Sequence, residues 1–131
     1  MEKKNGSVLD LLLRPELPDV RREVPEKQVE VTRLSGLAGE PVVFRLRGLT
    51  YAQVRAVQER AESDRALYIL LDGCVEPDFR DERLLDPARS IATPTDAIRA
   101  RLTPGEIDEL SCEVQRLSGY LKRTLADVKN G

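Results

Sequence analysis

The sequence predicts a small single α+β domain: a β-hairpin, with strands at about 27–34 and 42–48, packed against four to five α-helices. Three observations carry this. Residues 27–34 and 42–48 alternate apolar and polar side chains, the period of a half-buried strand. Segments opening on Ser7, Thr50, Thr93 and Thr103 start with residues that cap helices and then place apolar side chains at helical spacing. Finally, 131 residues with 40% apolar content suffice for one core, and the 4% aromatic share makes that core aliphatic.

In chain order, the first element is a short helix. Ser7 caps it, Asp10 sits in the first turn where the helix dipole favours an acid, and Pro15 ends it. Val8, Leu9, Leu12 and Leu13 make it mostly apolar, and at that length it cannot stand alone in water. Pro18, Pro25 and mixed charge then make residues 16–26 an extended linker. The first helix is therefore either a mobile arm or an element folded back on the core. The chain divides into an arm and linker at 1–26, a folded domain at 27–119 and a tail at 120–131.

In the first strand Val29 and Val31 share a face, with Gln28, Glu30, Thr32 and Leu34 opposite. Residues 35–41 hold Ser35, Gly36, Gly39 and Pro41 and read as a turn-rich connection. Val42, Phe44 and Leu46 share one face of the second strand, against Arg45 and Arg47. A lone hairpin is marginal in water, so helices must cover its apolar face. Thr50 and Gln53 form a capping box with Leu49 as staple, and Val54, Val57 and Ala61 continue the stripe to about Glu62. Residues 66–75 are the most apolar run and read as the central buried helix, with a buried strand as the alternative. Pro77 pushes Glu76 out of the helical region. Residues 81–85 can form one turn, and a short helix follows from Pro94 or Thr95 to Ala100, with Ile98 and Leu102 inward.

The clearest element is the helix that Thr103 opens. Pro104 stands at the first helical position, Glu106 completes a capping box, and Ile107, Leu110, Val114 and Leu117 form the apolar stripe. Gly119 suits the left-handed position after the helix end. Beyond it Leu121, Leu125 and Val128 could extend the stripe, while Gly119 argues for a break.

The same residues argue against catalysis. There is no His to act as a base near neutral pH, and no serine stands in a nucleophile elbow. Gly36 and Gly39 lack the Lys of a phosphate loop. Glu106, Glu109 and Glu113 read as an acidic first turn and a solvated face. Without His or a Cys-x-x-Cys pair no zinc site is expected, and the acidic stretches lack calcium-loop spacing. Cys74 and Cys112 read as small buried hydrophobes in a reducing compartment. The expectation is a protein that is not an enzyme, with no catalytic residue, metal or cofactor. The formal charge of −2, with Arg and Glu/Asp interleaved over 59–65, points away from nucleic acid. Met1 to Gly6 are polar and no run nears the ~20 apolar residues of a membrane span, so no signal peptide or membrane is expected and the cytoplasm is.

The order of elements resembles the tail assembly chaperones of long-tailed phages and prophages, encoded beside the tape measure gene. The resemblance rests on residues 42–47 running into Leu49-Thr50 and its capped helix, then on 70–75 running into Glu76-Pro77-Asp78-Phe79. It continues in Leu102-Thr103-Pro104-Gly105-Glu106-Ile107 and ends at Leu117-Ser118-Gly119; a Pro-Gly-Glu opening and a Leu-Ser-Gly ending are typical of that family. It spans roughly residues 29–119. It implies a non-enzymatic protein that binds the tape measure protein, helps recruit tail tube protein and is absent from the finished virion. It also implies a frameshifted longer form of the same chain. Lys129-Asn130 can be encoded by an A-rich slippery run, which places the expected frameshift there.

The apolar residues left for a partner are Leu9, Leu12 and Leu13 on the arm and Tyr120, Leu121, Leu125 and Val128 on the tail. Two other readings stand beside the chaperone: a structural head–tail connector or tail-completion protein, and a small protein-interaction adaptor.

Overall fold

The computed structural model describes residues 7–129. Its elements run α1 (Val8–Leu12), β1 (Glu26–Glu30), α2 (Thr32–Ala38), β2 (Val43–Arg47), α3 (Tyr51–Gln58), α4 (Arg65–Gly73), β3 (Cys74–Glu76), α5 (Pro94–Arg101) and α6 (Pro104–Leu117). The strands form one antiparallel sheet in the order β1-β2-β3. This is the expected α+β domain with its hairpin, and β3 extends the sheet.

The N-terminal caps form as the side chains dictate. Ser7, Thr50, Thr93 and Thr103 each accept from the backbone N–H three residues on, and the acid or amide there reaches back to complete a capping box. At the other end of α6, Gly119 has φ 95°, its N–H donates to the Arg116 carbonyl, and the Tyr120 N–H donates to that of Gln115. That is the Schellman pattern, and it closes α6 where the glycine predicts.

Four boundaries differ from the sequence expectation. The first strand stops at Glu30 rather than Leu34, because the chain turns into α2 at Thr32. The connection at 35–41 is therefore mostly helix, and it raises the number of α-helices among the described residues to six. Two side chains hold α2: Ser35 Oγ accepts from the Val42 N–H at 2.8 Å, and Arg33 grips Glu106 with both Nε and Nη2 at 2.9 Å. Gly39, at φ 77°, closes it. The helix from Thr50 ends at Gln58, not Glu62, leaving Ala61 exposed, because the Arg65 guanidinium satisfies the carbonyls of Gln58 and Arg60. The run 66–75 combines both of its readings: helix to Gly73, then strand, where Cys74 pairs with Leu46 and Glu76 with Arg45.

The core lies between the sheet, α4 and α6. Val114, Leu70, Leu46, Ile98 and Phe79 are its most buried large side chains, and Phe79 meets Phe44 edge-on at 5.9 Å between ring centroids. Val29 of β1 and Val31 just beyond its end do share the α6-facing side, and Phe44 and Leu46 the core side of β2. Glycine decides two close approaches. A Cβ on Gly73 would stand 2.5 Å from Val114 Cγ1, and one on Gly48 would stand 2.6 Å from the Leu117 carbonyl oxygen. The backbone of α4 and the end of β2 are thus pressed directly on α6.

The Arg33–Glu106 pair has a measurable consequence. Hydrogen bonds from the Arg33 guanidinium, helped by the Thr103 backbone N–H, push the Glu106 carboxyl from its ordinary 4.5 down to about 2. Its folded-state pKa is depressed, so the stability it supplies is present above about 4.5 and is lost as pH falls toward about 2. Glu106→Gln is expected to flatten the urea-midpoint profile across that window, leaving the other carboxylates to produce what slope remains.

Candidate functional site

The arm is built but not covered. Ser7 and Asp10 close a capping box around α1, yet α1 buries none of its residues. Leu9 and Leu12 are each 65% exposed and Leu13 72%. The linker that follows holds itself with local bonds: Asp19 accepts from the Arg21 backbone and side chain at 3.0 Å and 2.9 Å, which keeps the Asp19 carboxyl below its ordinary value.

The linker ends where the tail begins. The Pro25 carbonyl accepts from the Gly48 N–H at 3.0 Å. The next residue, Leu49, donates its N–H to Ser118 Oγ at 2.8 Å, and Ser118 Oγ donates to the Val114 carbonyl at 2.7 Å. Arm exit, β2 end and tail exit are therefore bonded in series, although Pro25 and Ser118 stand far apart in sequence. This also gives the Leu-Ser-Gly ending its physical content: the serine locks the last helix to the strand end, and the glycine turns the chain away.

Beside that corner lies a groove of about 200 Å³ between α3, α4 and the end of α6. Leu49, Val54, Val57 and Ile69 make its apolar wall, Arg65 and Gln115 its rim, and Tyr120 its edge. From Tyr120 on the described tail is irregular rather than helical. Leu121 is left-handed at φ 63°, so the tail does not continue the α6 stripe; Leu125 and Val128 are 78% and 86% exposed. The structure thus brings together the roots of the arm and tail segments and adds a groove beside the tail root. Both predicted sets, Leu9, Leu12 and Leu13 and then Tyr120, Leu121, Leu125 and Val128, are surface residues.

The family model of phage XkdN-like tail assembly chaperone proteins matches residues 9–130. The chain belongs to that family. A solved structure, the crystal structure of the protein yqbn from the northeast structural genomics consortium, is similar in fold at a TM-score of 0.57. It shares 19% sequence identity, with 75% of this chain and 89% of that one covered. No curated protein matches.

The groove of the chaperone was not legible as a site in the sequence. Leu49 read as a staple, and Val54 and Val57 as stripe; only the fold shows that part of that apolar surface stays open. The chemistry of the rest is structural. Burial pushes the Cys74 thiol up to about 12, so it is not a thiolate at neutral pH. Asp81 is held at about 2 by its hydrogen bonds from Arg83. Among the described residues no group of three or more His, Cys, Asp or Glu side chains could hold a metal ion, and no helix is long and apolar enough to cross a membrane.

Proposed function

We propose that this chaperone binds an apolar helical segment of the tape measure protein, shelters it in the host cytoplasm and aids recruitment of tail tube subunits, without catalysis and without entering the mature virion. The observation that carries the reading is the uncovered arm: a capped, mostly leucine helix whose apolar side chains meet no core, tethered beside an open apolar groove. An amphipathic partner helix gains most from such surfaces, because its own stripe leaves water at the same time. On this reading residues 27–119 are the scaffold, and 1–26 with 120–131 are the contact segments, through Leu9, Leu12, Leu13, Tyr120, Leu121, Leu125 and Val128. A frameshifted longer form belongs to the same proposal. Asn130 and Gly131 of its expected junction lie outside the described residues, and a slippery run in the gene with an overlapping downstream frame is the check.

Deleting residues 1–20 tests the arm. Its described part, residues 7–20, is exposed throughout, so the loss should stay within about 0.5 kcal/mol and move the melting temperature by less than ~3 °C. The same deletion should sharply reduce the soluble fraction of co-expressed tape measure protein. A deleted protein that unfolds would make the arm core; one that solubilises as well as the full chain would remove the arm from the contact. Recovery of the protein in purified virions would favour a connector or tail-completion component instead.

A further inference from the structure

The outer edge of β1 presents unpaired backbone groups above an acidic cleft. Val31 donates to the Val42 carbonyl and Gly48 to the Pro25 carbonyl, both at 3.0 Å. With the register Lys27↔Leu46 and Val29↔Phe44, these bonds make the odd-numbered residues of β1 the ones that bond β2. The N–H and C=O groups of Glu26, Gln28 and Glu30 therefore point the other way. Sheet order places nothing beyond β1 among the described residues, and β1 itself contains neither a proline nor a bulge that would blunt this edge.

Below the edge, β1 and α6 enclose a cleft of about 310 Å³. Val29, Val31 and Leu110 form its floor, and Glu30, Glu109 and Glu113 are among its rim. Glu113 already holds Lys27 at 2.7 Å and Arg116 at 2.6 Å. Glu30 and Glu109 are in no ion pair among the described residues. The charge pattern also decides what can occupy the edge. A second copy paired antiparallel over the full length of β1 would set Glu26 opposite Glu30, like charges on one face, which is destabilising. A strand carrying Lys or Arg at every second position meets the same edge with opposite charge and lays its alternate apolar residues toward the floor.

We propose that the β1 edge and the cleft beneath it bind an extended cationic segment of a partner protein, which adds as a fourth strand beside β1. The surface is distinct from the arm, the tail and their groove, and the inference does not depend on the partner assigned to them. The site pairs backbone hydrogen bonds with carboxylates that favour Lys and Arg.

The test uses the full chain and a short blocked peptide alternating Lys and Val, with a Glu/Val peptide and a peptide of the same Lys and Val content in two blocks as controls. Amide exchange is followed by NMR. In the free protein the Gln28 and Glu30 amides should exchange fast and those of Val29 and Val31 slowly. The alternating Lys/Val peptide should protect Gln28 and Glu30. Its affinity should fall at least about tenfold in Glu30→Lys/Glu109→Lys and again at ~1 M salt, where the Debye length is about 3 Å. Gln28→Pro removes only an outward N–H and should abolish the protection while leaving the β1–β2 ladder bonded. Equal binding of the Glu/Val or block peptide, shifts confined to other surfaces, or a dimer formed through β1 would each overturn the proposal.

Discussion

Leu110→Asp is expected to unfold the domain. Leu110 is buried on α6, one turn before Val114. A carboxylate there leaves water beside Val29, Val31 and three glutamates of the same helix, Glu106, Glu109 and Glu113. The cations that pair with these glutamates are already engaged: Arg33 by Glu106 and Lys27 by Glu113. An unpaired buried charge with acidic neighbours costs about 4 kcal/mol or more, a large part of the ~5–15 kcal/mol that holds a domain of this size. Circular dichroism melts should show no cooperative transition at neutral pH. Protonation of the new carboxylate should restore part of the transition at low pH, so the variant would be more folded in mild acid than at neutrality, the reverse of the wild-type trend set by Glu106. A near-native melt would mean that Leu110 faces solvent and that α6 is not the centre of the core.

What the sequence conveys about this fold divides along local and long-range causes. The four helix starts, two of them as capping boxes, and the α6 stop were legible because the deciding atoms lie within a few residues of one another, as with Thr103 and Glu106. The helix α2 was not. It has seven residues, too few to display a period, and it includes Ser35 and Gly36, which signal a turn. What stabilises it is Arg33 reaching Glu106, 73 residues away. The same reasoning applies to β3. Cys74, Val75 and Glu76 continue an apolar helical run, and only the unpaired side of β2 turns them into strand. The arm and tail stand out in sequence as apolar segments beside prolines or a glycine. The groove beside the tail root, walled by Leu49, Val54, Val57 and Ile69 from one loop and two helices, exists only after folding.

Gly73 and Gly36 both stand inside helices of the folded chain, and they should respond to alanine with opposite signs. Nothing stands within 4 Å of a Cβ built on Gly36, so Gly36→Ala should gain up to about 1 kcal/mol from helix propensity and a less free unfolded chain. The Cβ of Gly73→Ala would meet both Val114 methyls, at 2.5 Å and 2.7 Å, with the Arg47 carbonyl oxygen at 3.1 Å. Val114 is fully buried, and a β-branched side chain in a helix has essentially one rotamer, so it cannot swing aside. The helices must part, at a net cost of about 1–3 kcal/mol in place of the usual gain. Val114→Ala alone should also destabilise, by about 2 kcal/mol, through the cavity it leaves. In the double variant the new methyl occupies part of that cavity, and the two losses should fall short of their sum by at least ~0.5 kcal/mol, measurable from urea midpoints. Additive losses would mean that Gly73 is needed for the backbone's passage from α4 into β3 and not for its contact with α6.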